Sequence, residues 1–435
     1  MSRPLCLWLA AMAITACGGG NAAPPDSPGV AGAAAGGSPT PVGGAPSGAA
    51  GASGAAGGIS GGGVAGGGGS SGGSAGTTSS SAAGQSGASS NGGASGNGGA
   101  SNGGAGGGVA GSAGAAGSEN GDDDRCAIGN YDAAAPPKLL ELKGNLGTHD
   151  PMILSADDKF YLFSTGNNLG AKTSSDLLNW QGVADLFSAS TRPAWLEQQV
   201  PGVSNLWAPD ASFFGGVYHL YYSASTFGKN RSCIGHSTRA SMTTGSWVDQ
   251  GPVICSNVSS TDDFNAIDPN AVLDADGTPW LAFGSFWSGI KLIKLDQKGA
   301  RDGTSLEALA ARPSSGGALE APFLVRRCGY YYLFTSWDKC CDGADSTYNI
   351  RVGRAATVHG PFTDKEGKAL LQGGGTQVLK GGTRYRGPGH NAVLFSAGKA
   401  YNVYHSYDAD NNGASVLRIA ELTWDKDGWP ISAGP

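Results

Sequence analysis

The strongest constraint on the fold is a pattern that occurs five times after residue 148. Each copy begins with a polar residue capable of chemistry, continues as strand-like alternation around a tight turn, and ends in a hydroxyl side chain. The lead residues are 52 to 70 residues apart, enough for one four-stranded sheet with its loops per copy. The copies are Asp150 to Ser164, Asp210 to Ser223, Asp268 to Ser285, Glu320 to Ser336 and His390 to Ser406. They predict five sheets around an axis, with each copy supplying the innermost strand and all leads facing one central channel.

The local sequence supports an all-β class, because aromatic and β-branched runs alternate with turn residues. Val217–Ala224 and Gly329–Thr335 are such runs, while Asp157-Asp158 and Gly215-Gly216 predict tight turns between paired strands. Helical periodicity is faint, and the only candidate is a single turn over Leu306–Ala311. We therefore predict a five-bladed β-propeller preceded by a signal peptide and a disordered linker.

The chain begins with a segment typical of export. Residues 1–16 contain Arg3 and then an apolar stretch that is too short to span a bilayer, which indicates a signal peptide. The ending Ile14-Thr-Ala-Cys17 is similar to the lipobox of bacterial lipoproteins, in which the cysteine carries the lipid. We expect a lipid anchor at the cell envelope, with the membrane contacted only through it. The alternative is an ordinary signal peptide and a secreted protein.

A low-complexity segment follows, and we assign residues 17–124 to a linker. Between Gly18 and Gly121 there are 40 glycines in 104 residues and no aromatic residue. Such a composition buries too little apolar surface to offset the entropy of ordering, so it predicts a disordered tether.

Residues 125–435 form the predicted catalytic or binding domain. The formal net charge of the chain is −6, which argues against a nucleic-acid partner because that would favour a basic face. Aromatic residues are concentrated here, and rings beside carboxylates suit a sugar-binding groove, although most individual rings should pack between sheets. We expect a monomer.

Six cysteines lie in this domain, and an exported protein can oxidise them. Cys233 with Cys255, and Cys328 with Cys340 or Cys341, are the expected pairs within blades. We assign them structural roles.

Carboxylates that lead separate inner strands would stand on opposite walls of the channel mouth. Glycoside hydrolysis needs an acid that protonates the leaving oxygen and a base or nucleophile across the bond, and well-separated carboxyls suit inversion. A third carboxylate near the acid would raise its pKa by repulsion between like charges.

Eight motifs in order resemble those of the endo-α-1,5-L-arabinanases of glycoside hydrolase family 43. The resemblance extends from about Gly144 to Trp429. The motifs are His149-Asp-Pro, Asn205-Leu-Trp-Ala-Pro-Asp, Asn265-Ala-Ile-Asp-Pro, Gly284-Ser-Phe-Trp, Leu319-Glu-Ala-Pro-Phe, Lys339-Cys-Cys-Asp-Gly, Ser346-Thr-Tyr-Asn-Ile-Arg and Gly387-Pro-Gly-His-Asn-Ala.

This resemblance implies an inverting endo-hydrolase of the arabinan backbone. It makes Asp150 the general base, Glu320 the general acid, and Asp268 the residue that raises the pKa of the acid. It also implies that His390 holds Ca²⁺ in the central channel, largely through water. Asp210 receives no proton-transfer role, and we expect it to bond to the loop around His149.

The resemblance further implies a set of residues that bind the sugar together with Asp150 and Asp268. These are Trp207, Gly228, Asn265, Ala266, Ile267, Ser285, Phe286 and Trp287.

Two alternatives remain open. An exo-acting α-L-arabinofuranosidase or β-xylosidase of the same fold would differ in a loop that closes one end of the groove. A non-catalytic, surface-bound carbohydrate-binding propeller would keep the aromatic residues without needing the matched acid, base and modulator.

Overall fold

The computed structural model describes residues 125–257 and 262–435. The predicted signal peptide, Cys17 and the linker lie outside these residues. The described part is nearly all β, with five sheets arranged as a five-bladed β-propeller, which confirms the predicted fold. Within it, no helix has the length and apolar character needed to cross a membrane.

Each blade is an antiparallel sheet of consecutive strands, with one parallel strand added to the first. Blade 1 contains β1 (Lys143–Gly144), β2 (Met152–Ala156), β3 (Lys159–Ser164), β4 (Gly170–Ser174) and β5 (Asn179–Val183). Blade 2 contains β6 (Leu206–Phe214), β7 (Val217–Ala224), β8 (Ser232–Arg239) and β9 (Val248–Ser256). Blade 3 contains β10 (Asn270–Leu273), β11 (Pro279–Phe283), β12 (Ile290–Lys294) and β13 (Glu307–Ala310). Blade 4 contains β14 (Leu319–Arg327), β15 (Tyr330–Trp337), β16 (Asn349–Ala355) and β17 (Thr376–Lys380). Blade 5 contains β18 (Tyr385–Ser396), β19 (Lys399–Asp408), β20 (Ala414–Trp424) and β21 (Pro430–Ser432).

A few short helices lie in the connections. They are α1 (Leu196–Gln199) and four 3-10 turns at Pro313–Ser315, Gly343–Asp345, Leu370–Gln372 and Ala409–Asn411. The helical turn expected at Leu306–Ala311 is wrong, because Glu307–Ala310 is the outer strand β13, paired with β12. Its alternating residues are compatible with either structure, and pairing with a neighbouring strand decides between them.

The inner strands form a closed ring in which each contacts its two neighbours, in the order β2, β6, β10, β14, β18 and back to β2. The hydrophobic core lies between successive blades. In β7, for example, Leu220 faces one side of the sheet and Tyr221 the other, and both are fully buried. Each such side chain stabilises the fold by roughly 1.5–3 kcal/mol.

The repeat has a conformational basis at the start of each inner strand. In every blade one non-glycine residue there has a positive φ of 48° to 59°, a conformation that costs on the order of 1 kcal/mol. The five residues are Asp150, Ala208, Asp268, Ala321 and His390. The lead position predicted from sequence is therefore right for three copies, two residues late at Asp210 and one residue early at Glu320.

Side chains at the end of a blade's second strand hold the next inner strand by its backbone, which explains the hydroxyl that closes two of the five copies. Ser223 Oγ accepts the N–H of Asp268 at 2.9 Å, and Ser336 Oγ accepts the N–H of His390 at 2.8 Å. In the last blade a ring nitrogen takes this place, since His405 Nδ1 accepts the N–H of Asp150 at 3.1 Å.

Asp210 ties blade 2 to blade 3, and the expected bond to the loop around His149 is wrong. Its carboxylate accepts Asn270 Nδ2–H at 3.0 Å and the N–H of Ala271 at 2.9 Å. The reason is its place in the middle of β6, four residues after Leu206, which directs it to the neighbouring inner strand. Burial raises the pKa of Asp210 to about 7.

The ring is closed by the segment that precedes β1. Asn130 and Leu139 form bridges with β20, after which β1 pairs in parallel with β5 of blade 1. Cys126 at the start of this segment forms a disulfide with Cys328. In the chain-entropy description, closing a loop of 202 residues contributes about 5 kcal/mol.

One of the two predicted disulfides is present and the other is not. The Cys233–Cys255 pair is confirmed across β8 and β9. The pairing of Cys328 with Cys340 or Cys341 is wrong, because β15 separates these positions by about 26 Å at the usual rise per residue. Cys340 and Cys341 instead pair with each other.

Candidate active site

Asp150 lies at the start of β2, where groups from three parts of the chain surround its carboxylate. His149 Nδ1 lies 2.9 Å from Oδ2, and Thr165 Oγ1 donates to the same oxygen at 2.6 Å. His390 Nδ1 lies 3.2 Å from Oδ1, and His405 Nδ1 lies 3.7 Å from it. Blades 1 and 5 therefore share the support of this buried group.

These contacts determine the protonation state of Asp150. Burial alone would raise the pKa of this carboxyl, but the His149 and His390 imidazoles, with the His149 hydrogen bond, hold it well below its usual range. The adjacent carboxylate raises the pKa of His149 despite its burial. Asp150 is thus an ionised acceptor of protons at neutral pH.

Glu320 is held from two sides at the start of β14. Tyr348 Oη donates to Oε1 and Ser285 Oγ donates to Oε2, both at 2.7 Å. The Tyr348 ring packs directly against the backbone of Gly389, where an added Cβ would lie 1.9 Å from a ring carbon. Burial raises the pKa of Glu320, outweighing these two hydrogen bonds.

Asp268 is the third carboxyl of this cluster. It lies at the start of blade 3, and its Oδ2 accepts the N–H of Ala321, the neighbour of Glu320, at 3.2 Å. Burial and the charges of Glu320 and Asp150 raise its pKa well above the usual range. Asp268 and Glu320 together therefore retain a proton that Asp150 has lost.

Two loops with predicted sugar-binding residues are joined to each other and to the Glu320 strand. Gly284 donates its N–H to Ile267 O at 2.8 Å, and Phe286 donates to Leu319 O at 2.9 Å. Ser232 Oγ donates to Asn265 Oδ1 at 2.7 Å. This network gathers Asn265, Ala266, Ile267, Ser285, Phe286 and Trp287 beside Glu320 and Asp268.

The remaining predicted sugar-binding residues lie on blade 2. Trp207 stands in β6 directly before Ala208, and Gly228 lies in the exposed loop after β7 with φ +73°. Two large rings are solvent-exposed in the loops that carry predicted sugar-binding residues, Trp287 of blade 3 at 44% and Phe227 of blade 2, beside Gly228, at 80%. Exposed rings of this kind suit stacking on sugar faces, and Phe227 was not among the predicted residues.

The sequence analysis also missed four residues that support the carboxylates, of which one is Thr165, the residue after the closing Ser164 of the first copy. His405 and Tyr407 come from β19, and Tyr348 follows the Lys339–Gly343 loop. His405 stands directly before the closing Ser406 of the fifth copy, so its position in the repeat was the available signal. Tyr348 lies in the Ser346-Thr-Tyr-Asn-Ile-Arg motif, which was an available signal, whereas Tyr407 carries none because most tyrosines here pack in the core.

His390 lies where the channel meets the site, and the channel below it has a strongly apolar wall. The lining residues are Pro151, Met152, Pro209, Asp210, Pro269, Pro322, Phe323, His390, Asn391 and Ala392. Asn391 is buried there with neither side-chain polar atom hydrogen-bonded. A cation here would meet one imidazole and one amide oxygen, so water would have to supply most of the oxygen ligands that Ca²⁺ prefers.

One other group of residues in the described chain has donor atoms close enough to share a cation. The donors of His149, Asp150 and His405 lie within 4.8 Å of one another. His405 Nδ1 already accepts the N–H of Asp150, so the two histidines are better suited to hold Asp150 in place than to bind a cation.

Comparison with known proteins agrees with this geometry. The profile of glycosyl hydrolases family 43 matches residues 144–430. The extracellular endo-α-(1→5)-L-arabinanase 1 of Bacillus subtilis is 45% identical over 287 residues, covering 65% of this chain and 86% of that protein. The extracellular exo-α-(1→5)-L-arabinofuranosidase ArbA of Cellvibrio japonicus is 41% identical over 298 residues, covering 65% and 85%.

A solved structure extends the similarity to three dimensions. The GH43 endo-arabinanase of Bacillus licheniformis superposes with a TM-score of 0.64 at 46% identity, covering 67% of this chain and 99% of that one. The chain therefore belongs to glycoside hydrolase family 43.

Proposed function

We propose that this protein is an inverting endo-α-1,5-L-arabinanase. The observation that carries the proposal is the pairing, at one end of the channel, of an ionised Asp150 with a Glu320 whose pKa is raised. Inverting hydrolysis needs this combination of base and acid. The similarity to the Bacillus subtilis and Bacillus licheniformis endo-arabinanases supports arabinan as the substrate.

In this proposal Asp150 takes a proton from the attacking water. Thr165 and His149 both lie within 2.9 Å of Oδ2, whereas His390 lies 3.2 Å from Oδ1, so Oδ1 is the oxygen better placed to accept that proton. The water adds to the anomeric carbon on the face opposite the leaving sugar. The product therefore has the inverted anomeric configuration.

Glu320 donates its proton to the O5 of the leaving arabinose. Asp268 supports this role because its negative charge, when present, disfavours ionisation of the nearby Glu320. Tyr348 and Ser285 orient the Glu320 carboxyl and stabilise the carboxylate left after transfer. The loops 265–267 and 284–287, with Trp207 and Gly228, supply the groove in which the furanose rings bind.

An exo-acting enzyme is the second candidate, because the Cellvibrio japonicus relative at 41% identity is described as an exo-arabinofuranosidase. The carboxylate geometry serves either mode of cleavage. A carbohydrate-binding propeller without activity is disfavoured, because it has no need for carboxyls in opposite protonation states.

The function is tested by digestion of linear, debranched arabinan. We expect oligosaccharides of intermediate length early in the reaction, because an open groove admits the middle of the polymer, and sizing of products over time measures this. Proton NMR of the first product should show the inverted anomer. Arabinose as the sole early product would favour the exo enzyme, and a retained anomer would remove the base role of Asp150.

The acid is tested by Glu320→Gln. The amide cannot donate the proton that the leaving oxygen needs, so we expect kcat on linear arabinan to fall by at least about 100-fold. Binding of arabino-oligosaccharides, measured by calorimetry, should persist.

Glu307→Gln is the matched control, because Glu307 lies on β13 beside His359 and away from the site. It should retain the parental kcat.

In the companion variant Asp268→Asn, the high-pH limb of kcat/KM should move to lower pH because a charge that favours protonated Glu320 is lost. Parental kcat in Glu320→Gln would rule out the acid assignment.

We also propose Ca²⁺ in the channel, held by His390 with water and Asn391 completing the shell. When bound, the ion supplies a positive charge near Asp150 that favours its ionised form. EDTA should lower both kcat and Tm, and added Ca²⁺ should restore them. His390→Ala should respond to neither treatment, whereas an unchanged Tm together with no calorimetric Ca²⁺ binding would exclude the ion.

For location we propose export and a lipid on Cys17. The extracellular relatives support export. Cys17→Ala should move the protein from the membrane fraction to the soluble fraction, because the acyl chains are its only predicted membrane contact. Cys6→Ala is the control within the same segment and should not change the partition. If the Cys17→Ala protein stays in the membrane fraction, a lipid on Cys17 does not account for the membrane attachment.

A further inference from the structure

A disulfide between adjacent residues lies at the rim of the active site. Cys340 and Cys341 follow β15 and are bonded to each other. Cys341 is exposed, has a left-handed φ of 65°, and its Sγ lies 3.9 Å from His149 Nε2. A non-glycine residue in this conformation needs a constraint that holds it, and the covalent ring supplies one.

A chain of hydrogen bonds leads from this disulfide to Asp150. Cys341 donates its N–H to Tyr407 Oη at 2.8 Å, and Tyr407 Oη lies 2.8 Å from His149 Nε2. His149 Nδ1 lies 2.9 Å from Asp150 Oδ2. With neutral His149 protonated on Nδ1, every donor in the series has an acceptor, and the last acceptor is the carboxylate.

The same loop also reaches the support of Glu320. Lys339 O accepts the N–H of Tyr348 at 3.0 Å, and Tyr348 Oη donates to Glu320. The two cysteines therefore directly follow the Lys339 carbonyl that holds Tyr348, and one of them supplies the amide that meets Tyr407. A change in this loop would affect the supports of both carboxyls.

We propose that the Cys340–Cys341 disulfide is a positioning element of the reaction, which fixes the Cys341 amide so that Tyr407 and His149 hold Asp150 in place. This inference rests on the proposed function, in which Asp150 is the base. Neither sulfur takes part in bond making or breaking. Without the ring, Cys341 can leave its left-handed conformation, and its N–H then turns away from Tyr407.

The test compares kcat and KM on linear arabinan in three forms of the full chain. Cys340→Ala with Cys341→Ala removes the ring. We expect kcat to fall by about 10-fold and KM to stay within about twofold, because the base is misplaced while the sugar-binding loops are untouched. Cys126→Ser with Cys328→Ser is the control, which should lower Tm and retain the parental kcat at 25 °C.

Tyr407→Phe interrupts the same chain while leaving the disulfide intact. It should lower kcat by a similar factor, and adding the Cys340→Ala and Cys341→Ala changes should produce little further loss, since both act through one path. Multiplied losses, or parental kcat in Tyr407→Phe, would overturn the proposal. Tyr407→Phe gives this answer even if the cysteine variant fails to fold.

Asp150→Ala separates this inference from the function on which it rests. An active Asp150→Ala enzyme would overturn both. An inactive Asp150→Ala, together with parental kcat in the Cys340→Ala and Cys341→Ala variant, would overturn the positioning role alone.

Discussion

The structure depends on keeping one negative charge buried at the centre of the ring. Removing a carboxylate from water costs several kcal/mol unless charges and hydrogen-bond donors replace the solvent. For Asp150 the replacements come from His149 and Thr165 in blade 1 and from His390 in blade 5. The first and last blades must therefore meet before the base exists, so closure of the ring and assembly of the site are one event.

The repeat was enough to predict the fold because every blade needs the same conformation at the start of its inner strand. The sequence did not reveal the exact register at Asp210 and Glu320. At these two copies the left-handed position is occupied by Ala208 and Ala321, whose methyl side chains carry no polar group that the pattern could include. The sequence pattern followed polar side chains, whereas the fold requires a left-handed backbone. The polar lead and the left-handed residue are the same in only three blades.

The site was predictable in its carboxylates and much less so in their supports. Asp150, Asp268 and Glu320 are brought together as expected, while their catalytic roles stay predictions. Tyr407 reaches the site from a distant segment, and nothing distinguishes it locally from the buried tyrosines of the core. Tyr348 also comes from a distant segment, and the motif that contains it assigns it no role. The Cys328 pairing failed for a related reason, because proximity along the chain was weighed without the length of β15.

The Cys126–Cys328 bond has a mechanical meaning. Glu320 begins β14 at the mouth of the channel, and Cys328 follows the other end of the same strand, about 26 Å away. Tension applied to the chain at residue 125 passes through this covalent bond into blade 4 at the end remote from the mouth. The hydrogen bonds that join the first segment to β20, and the closure between blades 5 and 1 that holds Asp150, are spared that load.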